Sequence, residues 1–322
     1  MRAWLPEREV HGPERAGETD IEPLNRLFAE AFTDRYRRDG LVGVRVPRLN
    51  PAIWRYALLD AGEGAMLWRD EREEVAAFNL AHLCGHEGWM GPLAVRPDRQ
   101  GGGVGKTLVT AAADWLIDHG ARTVGLETMP RTVDNIGFYS TLGFLPGHLT
   151  VTLTLDTGAR RLPAPVLLSA QQGTRQREAL TGIGTLVQEL APGYDCSREI
   201  LLTAELALGD TVLVWGDAGL DGFALWHSAP LAEGRESDEL RVLKLGARTS
   251  EAFAAVVSAV EAAATGGGIR RVAIRSQTAY AEAYQALVTR GYQVRWTDLR
   301  MCLAGYPEGT PGSGVLFSNW EI

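Results

Sequence analysis

The stretch RQGGGVGKTL, Arg99 to Leu108, sets four glycines beside a lysine and a threonine, a composition suited to holding phosphate. Glycine takes positive φ without steric cost, so a run of glycines can turn successive backbone N–H groups toward one anion. Counting tests which phosphate pattern this is. The nucleoside-triphosphate loop G-x-x-x-x-G-K-[ST] needs glycine five residues before Gly105, where Gln100 stands. The dinucleotide pattern G-x-G-x-x-G needs glycine at Lys106 or at Leu108. Both registers fail. A pyrophosphate can still be held by the loop amides together with the first N–H groups of a following helix, and that arrangement requires no lysine.

Other residues could do acid–base work. Tyr139 stands in NIGFYSTLGF, shortly before Gly143 and Phe144, and Glu127 stands in GLET. Glu87, a weaker candidate for a base, lies in HLCGHEGW beside His82, Cys84 and His86. The H-x-C-x-H spacing invites a metal reading, but these residues span a turn and no fourth ligand accompanies them. They read as solvent-facing turn residues, and no metal is expected.

Hydrophobic period marks the elements that must position these groups. DIEPLNRLFAEAFTDRYRR has apolar residues at helical spacing after an Asp20 cap signal. AMLWRD and VAAFNLAHL read as strands joined by the charged turn DEREE, and WMGPLAV, Trp89 to Val95, as a strand buried on both faces. The glycine loop comes next, then the helix TLVTAAADWLIDHG closed by Gly120. TVGLET follows as a strand, DNIGFYSTLG as a helix and HLTVTLTL as a long alternating strand. The loop therefore joins a buried strand to a long helix, which is where a pyrophosphate would bind.

Beyond Asp156, TGARRLPAP has no periodicity and two prolines, as a linker would. The order of elements then returns. DGFALWHS echoes AAFNLAHL, ELRVLKLGA echoes GPLAVRP, and SEAFAAVVSAVEAAATGGG echoes the helix before Gly120. VAIRS at Val272 echoes VGLET at Val124, and Gly291 echoes Gly143, each at an offset of 148 (272 − 124 and 291 − 143). A constant offset suggests an internal duplication, with domains at 1–156 and 157–322. The second copy reads ARTSEAF where the glycine loop should be and Leu287 where the first has Tyr139. It lacks the machinery, which leaves it to shape a substrate cleft, complete the sheet or form a homodimer. Its final segment, GVLFSNWEI, is expected to add a strand.

Taken as a whole, VRPDRQGGGVGKTL resembles the GNAT superfamily of N-acetyltransferases. Their pattern Q/R-x-x-G-x-G/A, after a strand ending V-x-P, appears here as Gln100, Gly103 and Gly105 after Val95 and Pro97. Their later Y-x-x-x-G-F ending appears as Tyr139, Gly143 and Phe144. The resemblance covers about residues 20 to 156, and the second half in element order only. It implies α/β (α+β) folds in tandem, each a mixed, mostly antiparallel twisted sheet flanked by helices.

For the site, the resemblance implies acetyl-CoA as cosubstrate. Leu93, Ala94 and Val95 would pair with the pantetheine arm, and Gln100, Gly101, Gly102, Gly103, Val104, Gly105 and Lys106 would surround the pyrophosphate. Tyr139 would protonate the departing thiolate, and Glu127 matches a position where ribosomal-protein N-acetyltransferases carry a base; a water relay is the other option. The family's asparagine, commonly seven residues before the tyrosine, is Thr132 here, while Asn135 stands four before. A threonine hydroxyl could bond the pantetheine instead.

The implied activity is transfer of acetyl to a primary amine of an unidentified small-molecule acceptor by direct attack. Mycothiol synthases, tandem members whose competent half is usually the second, offer another reading, and a non-catalytic CoA- or acyl-CoA-binding regulator offers a third. Composition narrows the partners. A chain of 322 residues with 45% apolar content suits two ordinary domains, and a net charge of −8 argues against nucleic acid as the main partner. Three scattered cysteines indicate no disulfide framework, and no leader-like or membrane-spanning run is evident, so a cytoplasmic protein without a membrane partner is expected.

Overall fold

The computed structural model describes residues 10–158, 163–309 and 312–320, so parts of the expected linker and the end of GVLFSNWEI lie outside the described residues. The first half runs Val10–Arg15 (β1), Ile21–Arg38 (α1), Pro51–Ala61 (α2), Ala65–Asp70 (β2), Val75–Cys84 (β3), Glu87–Val95 (β4), Val104–Asp118 (α3), Thr123–Thr128 (β5), Val133–Thr141 (α4) and Phe144–Asp156 (β6). The second runs Val166–Leu167 (β7), Thr174–Leu190 (α5), Ser197–Glu205 (α6), Gly209–Gly216 (β8), Gly219–His227 (β9), Glu239–Ala247 (β10), Ser250–Gly266 (α7), Arg271–Gln277 (β11), Ala281–Thr289 (α8), Gln293–Leu303 (β12) and Val315–Ser318 (β13).

One local expectation changes, and one helix has no counterpart in the sequence reading. Asp20 does not cap α1: its carboxylate accepts from the Gly17 amide at 3.0 Å and pairs with Arg69 at 2.9 Å, because a short 3-10 turn precedes the helix. Helix α2 has no amphipathic stripe to betray it, since Ile53, Trp54, Tyr56, Ala57 and Leu58 are all buried. It starts where Asn50 accepts from the Ala52 amide at 3.0 Å with Pro51 in the first turn.

All the strands join one 13-stranded sheet in the order β1-β2-β3-β4-β5-β12-β6-β11-β10-β9-β8-β7, with β13 on β10. Among the described residues only β4–β5 and β10–β11 are parallel; every other strand pairing is antiparallel. The halves exchange their long strands at the centre. β12 inserts between β5 and β6, and β6, which ends the first half, lies between β12 and β11. Gly143 and Gly291, at φ +89° and +103°, turn the chain into β6 and β12, and that shared backbone turn accounts for the repeated glycine.

Adjacent strand residues face opposite sides of the sheet, and the cores follow that alternation. In the first half, Phe28, Trp54 and Phe78 bury α1 and α2 against one face. Val109, Leu116, Leu126 and Phe144 bury α3 and α4 against the other. In the second half, Val256, Val272 and Leu287 hold α7 and α8, while Ile183, Ile200 and Phe223 hold α5 and α6 on the opposite face. Among the described residues no helix is long and apolar enough to cross a membrane.

Candidate active site

β4 and β5 run in parallel register from Glu87–Thr123 to Met90–Leu126, and there their pairing ends while β4 continues to Val95. The cause is a bulge. Against β3, Asn79 pairs with Leu93 and Ala81 with Met90, so β4 spends three residues (93 − 90) where β3 spends two (81 − 79). Gly91, at φ +145°, and Pro92, which has no N–H, form it. Leu93, Ala94 and Val95 thus keep β3 on one side and lose β5 on the other, leaving a strand edge open to an extended ligand. His82 supports the bulge from β3, with Nε2 3.2 Å from the Gly91 carbonyl and Nδ1 2.6 Å from Asp60.

The open edge leads to the glycine loop. Gly101 and Gly103 have φ of +82° and +88°, and a Cβ at Gly101, Gly102 or Gly103 would meet nothing within 4 Å. Gly103 is the N-cap of α3 and supplies no side-chain acceptor, so the first-turn N–H groups, beginning at Val104, face the space above the glycines. Gly105 has a different role. A Cβ there would meet the Phe138 ring of α4 at 3.4 Å, so this glycine faces the neighbouring helix and not the open space above the loop. Lys106 is exposed at the same helix end.

Asp70, at the end of β2, fixes the loop in place. Buried to 1% exposure, it accepts from Arg96 at 2.5 Å, Arg99 at 3.0 Å, and the amides of Arg72 and Glu74 at 2.9 and 3.1 Å. Burial alone would raise its pKa, but the Arg96 bond and the two amides overcome it and hold the carboxyl at about 2. Gln100 donates to the Val95 carbonyl and accepts from Arg38, both at 3.0 Å, and its backbone N–H donates to the Pro97 carbonyl at 3.5 Å, so this residue shapes the loop.

Thr132 departs from the expectation that its hydroxyl turns to the pantetheine. It is fully buried and donates to Asp39 at 2.6 Å. Arg35 also pairs with Asp39, and Arg131 donates to the Asp39 carbonyl at 2.7 Å. The residue clamps the end of α1 to the start of α4. Asn135, one turn on, faces Thr128 at 3.5 Å and is half-buried. Tyr139 is buried on α4, with its ring edge-on to Phe144 at 6.3 Å, and burial raises its pKa to about 12. At neutral pH it is a protonated phenol, able to donate.

The opposite face of β5 carries the charged groups. Glu127 pairs with Arg275 and with Arg300, the latter at 2.7 Å, and accepts from Thr150 at 2.5 Å. Burial would raise its pKa, yet the two guanidiniums outweigh this and lower it. A carboxylate so neutralised has little affinity left for a substrate proton. Arg300 is 1% exposed, lies 3.8 Å over the Trp89 ring and also pairs with Glu308 at 2.7 Å. Glu87 accepts from the Trp89 indole at 2.9 Å, and burial raises its pKa.

The reading of His82 and Cys84 as solvent-facing is corrected. Both lie on β3 and are buried, and Cys84 meets Glu199 of α6 at 2.5 Å. Sequence reasoning also missed Arg275, Asp298 and Arg300, which the strand exchange brings from the second half to Glu127. The pattern RWTDLRM could have shown Asp298 and Arg300, which share one face of an alternating strand with Trp296, whereas nothing local singles out Arg275.

The second half has the same opening and fills it. β10 and β11 pair from Glu239–Arg271 to Val242–Ile274 and then part. β13 occupies the gap, antiparallel to β10 from Lys244–Ser318 to Ala247–Val315. Gln277 of β11 donates to Asn319 at 2.7 Å, and the Asn319 amide donates to the Leu243 carbonyl at 2.9 Å, closing both edges. At the head of α7, the Thr249 hydroxyl accepts from the Ala252 amide at 3.1 Å, so this helix end is already capped.

Comparisons with known proteins bear on the family likeness and the fold. Residues 24–144 match the model of the Acetyltransferase (GNAT) family. No curated protein matches in sequence. Among solved structures, a Pyrococcus horikoshii protein assigned to the acetyltransferases superposes with TM-score 0.65 at 14% identity, over 99% of this chain and 96% of that one. A tandem GNAT protein of the clavulanic acid biosynthesis pathway gives 0.60 at 13% identity, over 94% and 100%. Saccharomyces cerevisiae N-myristoyltransferase, solved with myristoyl-CoA, gives 0.62 at 11% identity, over 95% and 84%. Residues 24–144 thus resemble the GNAT acetyltransferase family, and over 94% of its length the chain has the fold of a tandem GNAT protein.

Proposed function

We propose that the first half transfers an acetyl group from acetyl-CoA to a primary amine of a small molecule by direct attack on the thioester. The observation that carries this reading is the unpaired edge of β4 at Leu93–Val95, leading without interruption to the uncapped start of α3. An extended pantetheine suits the edge, and a pyrophosphate suits the glycine amides. Tyr139 acts as donor to the sulfur, because the thiolate needs a proton as the C–S bond breaks and a phenol titrating near 12 keeps its own until then. Gln100 and Asp70 act at a distance by holding the loop.

A non-catalytic acyl-CoA sensor is the alternative, favoured by the neutralisation of Glu127. Calorimetry with acetyl-CoA, followed by thiol release across an amine panel, separates the two. One binding event per chain with amine-dependent thiol release supports the transferase. Binding without release from any amine supports the sensor, and heat from ATP but not from CoA overturns both.

A further inference from the structure

The strand exchange brings a second carboxylate to the mouth of the site. Leu299 of β12 pairs with Thr128 at the end of β5, so Asp298 lies one residue beyond, level with the stretch of β4 that has lost its partner. It shares the face of Glu127, to which Arg275 links it, at 3.1 Å on the Asp298 side. Glu127 is held by two guanidiniums and a hydroxyl, whereas Asp298 takes one guanidinium on Oδ2 and the Trp296 indole N–H, at 3.0 Å, on Oδ1. Its side chain keeps 17% exposure, close to the 20% of Glu127, so it is the number of partners and not exposure that distinguishes the two carboxylates. Tyr36 of α1 and Trp296, ring centroids 6.2 Å apart, stand beside it and offer apolar surface to the carbon body of an amine.

We propose that Asp298, rather than Glu127, takes the proton from the incoming amine, so that the second half supplies a catalytic residue to the first; this rests on the transferase reading above. The ammonium transfers one proton to the carboxylate, an O–H bond forming as an N–H bond breaks, and the lone pair freed on nitrogen attacks the thioester carbon. The C–S bond then breaks. Sulfur takes the proton of Tyr139, and the phenol regains one from the new amide nitrogen through water. The products are the amide, the thiol and one proton, which Asp298 releases to solvent.

The groups facing Asp298 are compatible with this role. Burial raises its proton affinity, Arg275 on β11 opposes that, and Glu127 on β5 adds to it. On α1, Tyr36 is kept protonated by burial and by the charge of Asp298.

Two nucleophiles test the proposal. An alkylamine is an ammonium at neutral pH and needs a base, whereas hydroxylamine is already neutral. Wild type, Asp298→Asn and Asp298→Glu are each given acetyl-CoA with n-butylamine, benzylamine or hydroxylamine, and thiol release above the uncatalysed rate is measured. Acetyl-CoA affinity, read by calorimetry, reports that each variant is folded. The expected result for Asp298→Asn is a loss of roughly 10²-fold with the alkylamines at unchanged affinity, and little change with hydroxylamine. Asp298→Glu should recover part of the alkylamine rate; if both variants lose hydroxylamine turnover equally, the role is structural and the proposal falls. An Asn variant at full alkylamine rate, or a wild type that acetylates hydroxylamine but neither alkylamine, also overturns it. If acetyl-CoA binds and none of the three nucleophiles reacts, the transferase reading itself has failed.

Discussion

The molecule contains the same parting of parallel strands twice, and treats it in opposite ways. In the first half β4 leaves β5 after Met90, the gap stays open, and the helix beyond it begins at a glycine with no cap. In the second half β10 leaves β11 after Val242, β13 fills the gap, and the helix beyond begins at a threonine that caps itself. A parted strand pair with an uncapped helix end leaves backbone donors and acceptors unmet, and these must be satisfied by water, a ligand or the chain itself. The first half does not meet that demand within the chain, and the second does. The missing glycine loop and the added closing strand are two separate features, and each by itself removes the open arrangement seen in the first half.

The contrast can be broken from either side. The largest effect should come from Gly103→Val. It places a β-branched residue at φ +88° and a side chain where phosphate must approach, so acetyl-CoA affinity should fall on the order of 10²-fold or more while the fold persists. Calorimetry beside a circular-dichroism melt reads both quantities. Tyr139→Phe keeps the buried ring and removes the donor, so kcat should drop roughly 10²-fold with Kd for acetyl-CoA nearly constant. A full-rate Phe variant would reduce Tyr139 to a core aromatic.

Removing residues 312–322 reopens the second gap and exposes the pocket of Phe317, which is fully buried. The melting temperature should fall by several degrees while CoA still binds once per chain, because no glycine loop faces the reopened edge. A second CoA site in the truncated protein would show that the strand alone silences this half. The smallest effect concerns Asp70. Its folded pKa of about 2 lies below the ordinary 3.8, so its contribution is fully present above about pH 4 and is lost as pH falls through about 2. Asp70→Asn should lower stability at neutral pH and flatten that acid limb in denaturant titrations.

Much of the first half was legible because its elements obey simple periods. The buried run Trp89–Val95, the loop glycines and the spacing of Tyr139 from Gly143 follow from local chemistry, and each stands where the pattern places it. The partners of those residues were hidden. Thr132 looked like a ligand contact because nothing local reveals Asp39, 93 residues away in the chain. Glu127 looked like a base because Arg275 and Arg300 are 148 and 173 residues distant. His82 and Cys84 looked exposed beside a turn, yet α2 and α6 cover them through Asp60 and Glu199. Long-range pairings set the electrostatics of the site, and a local pattern does not report them.

The crossing of β6 and β12 also bears on how the protein is made. As the chain emerges from the ribosome, residues up to Asp156 hold six strands of the sheet, but β5 and β6 cannot join directly, because the strand that lies between them ends at Leu303. Until β11 and β12 follow, β6 lacks both of its native neighbours and β5 lacks one. Unpaired edges recruit foreign strands, so this interval is when the nascent protein is most exposed to aggregation. Cutting the gene at the repeat boundary would leave each product in that unpaired state permanently.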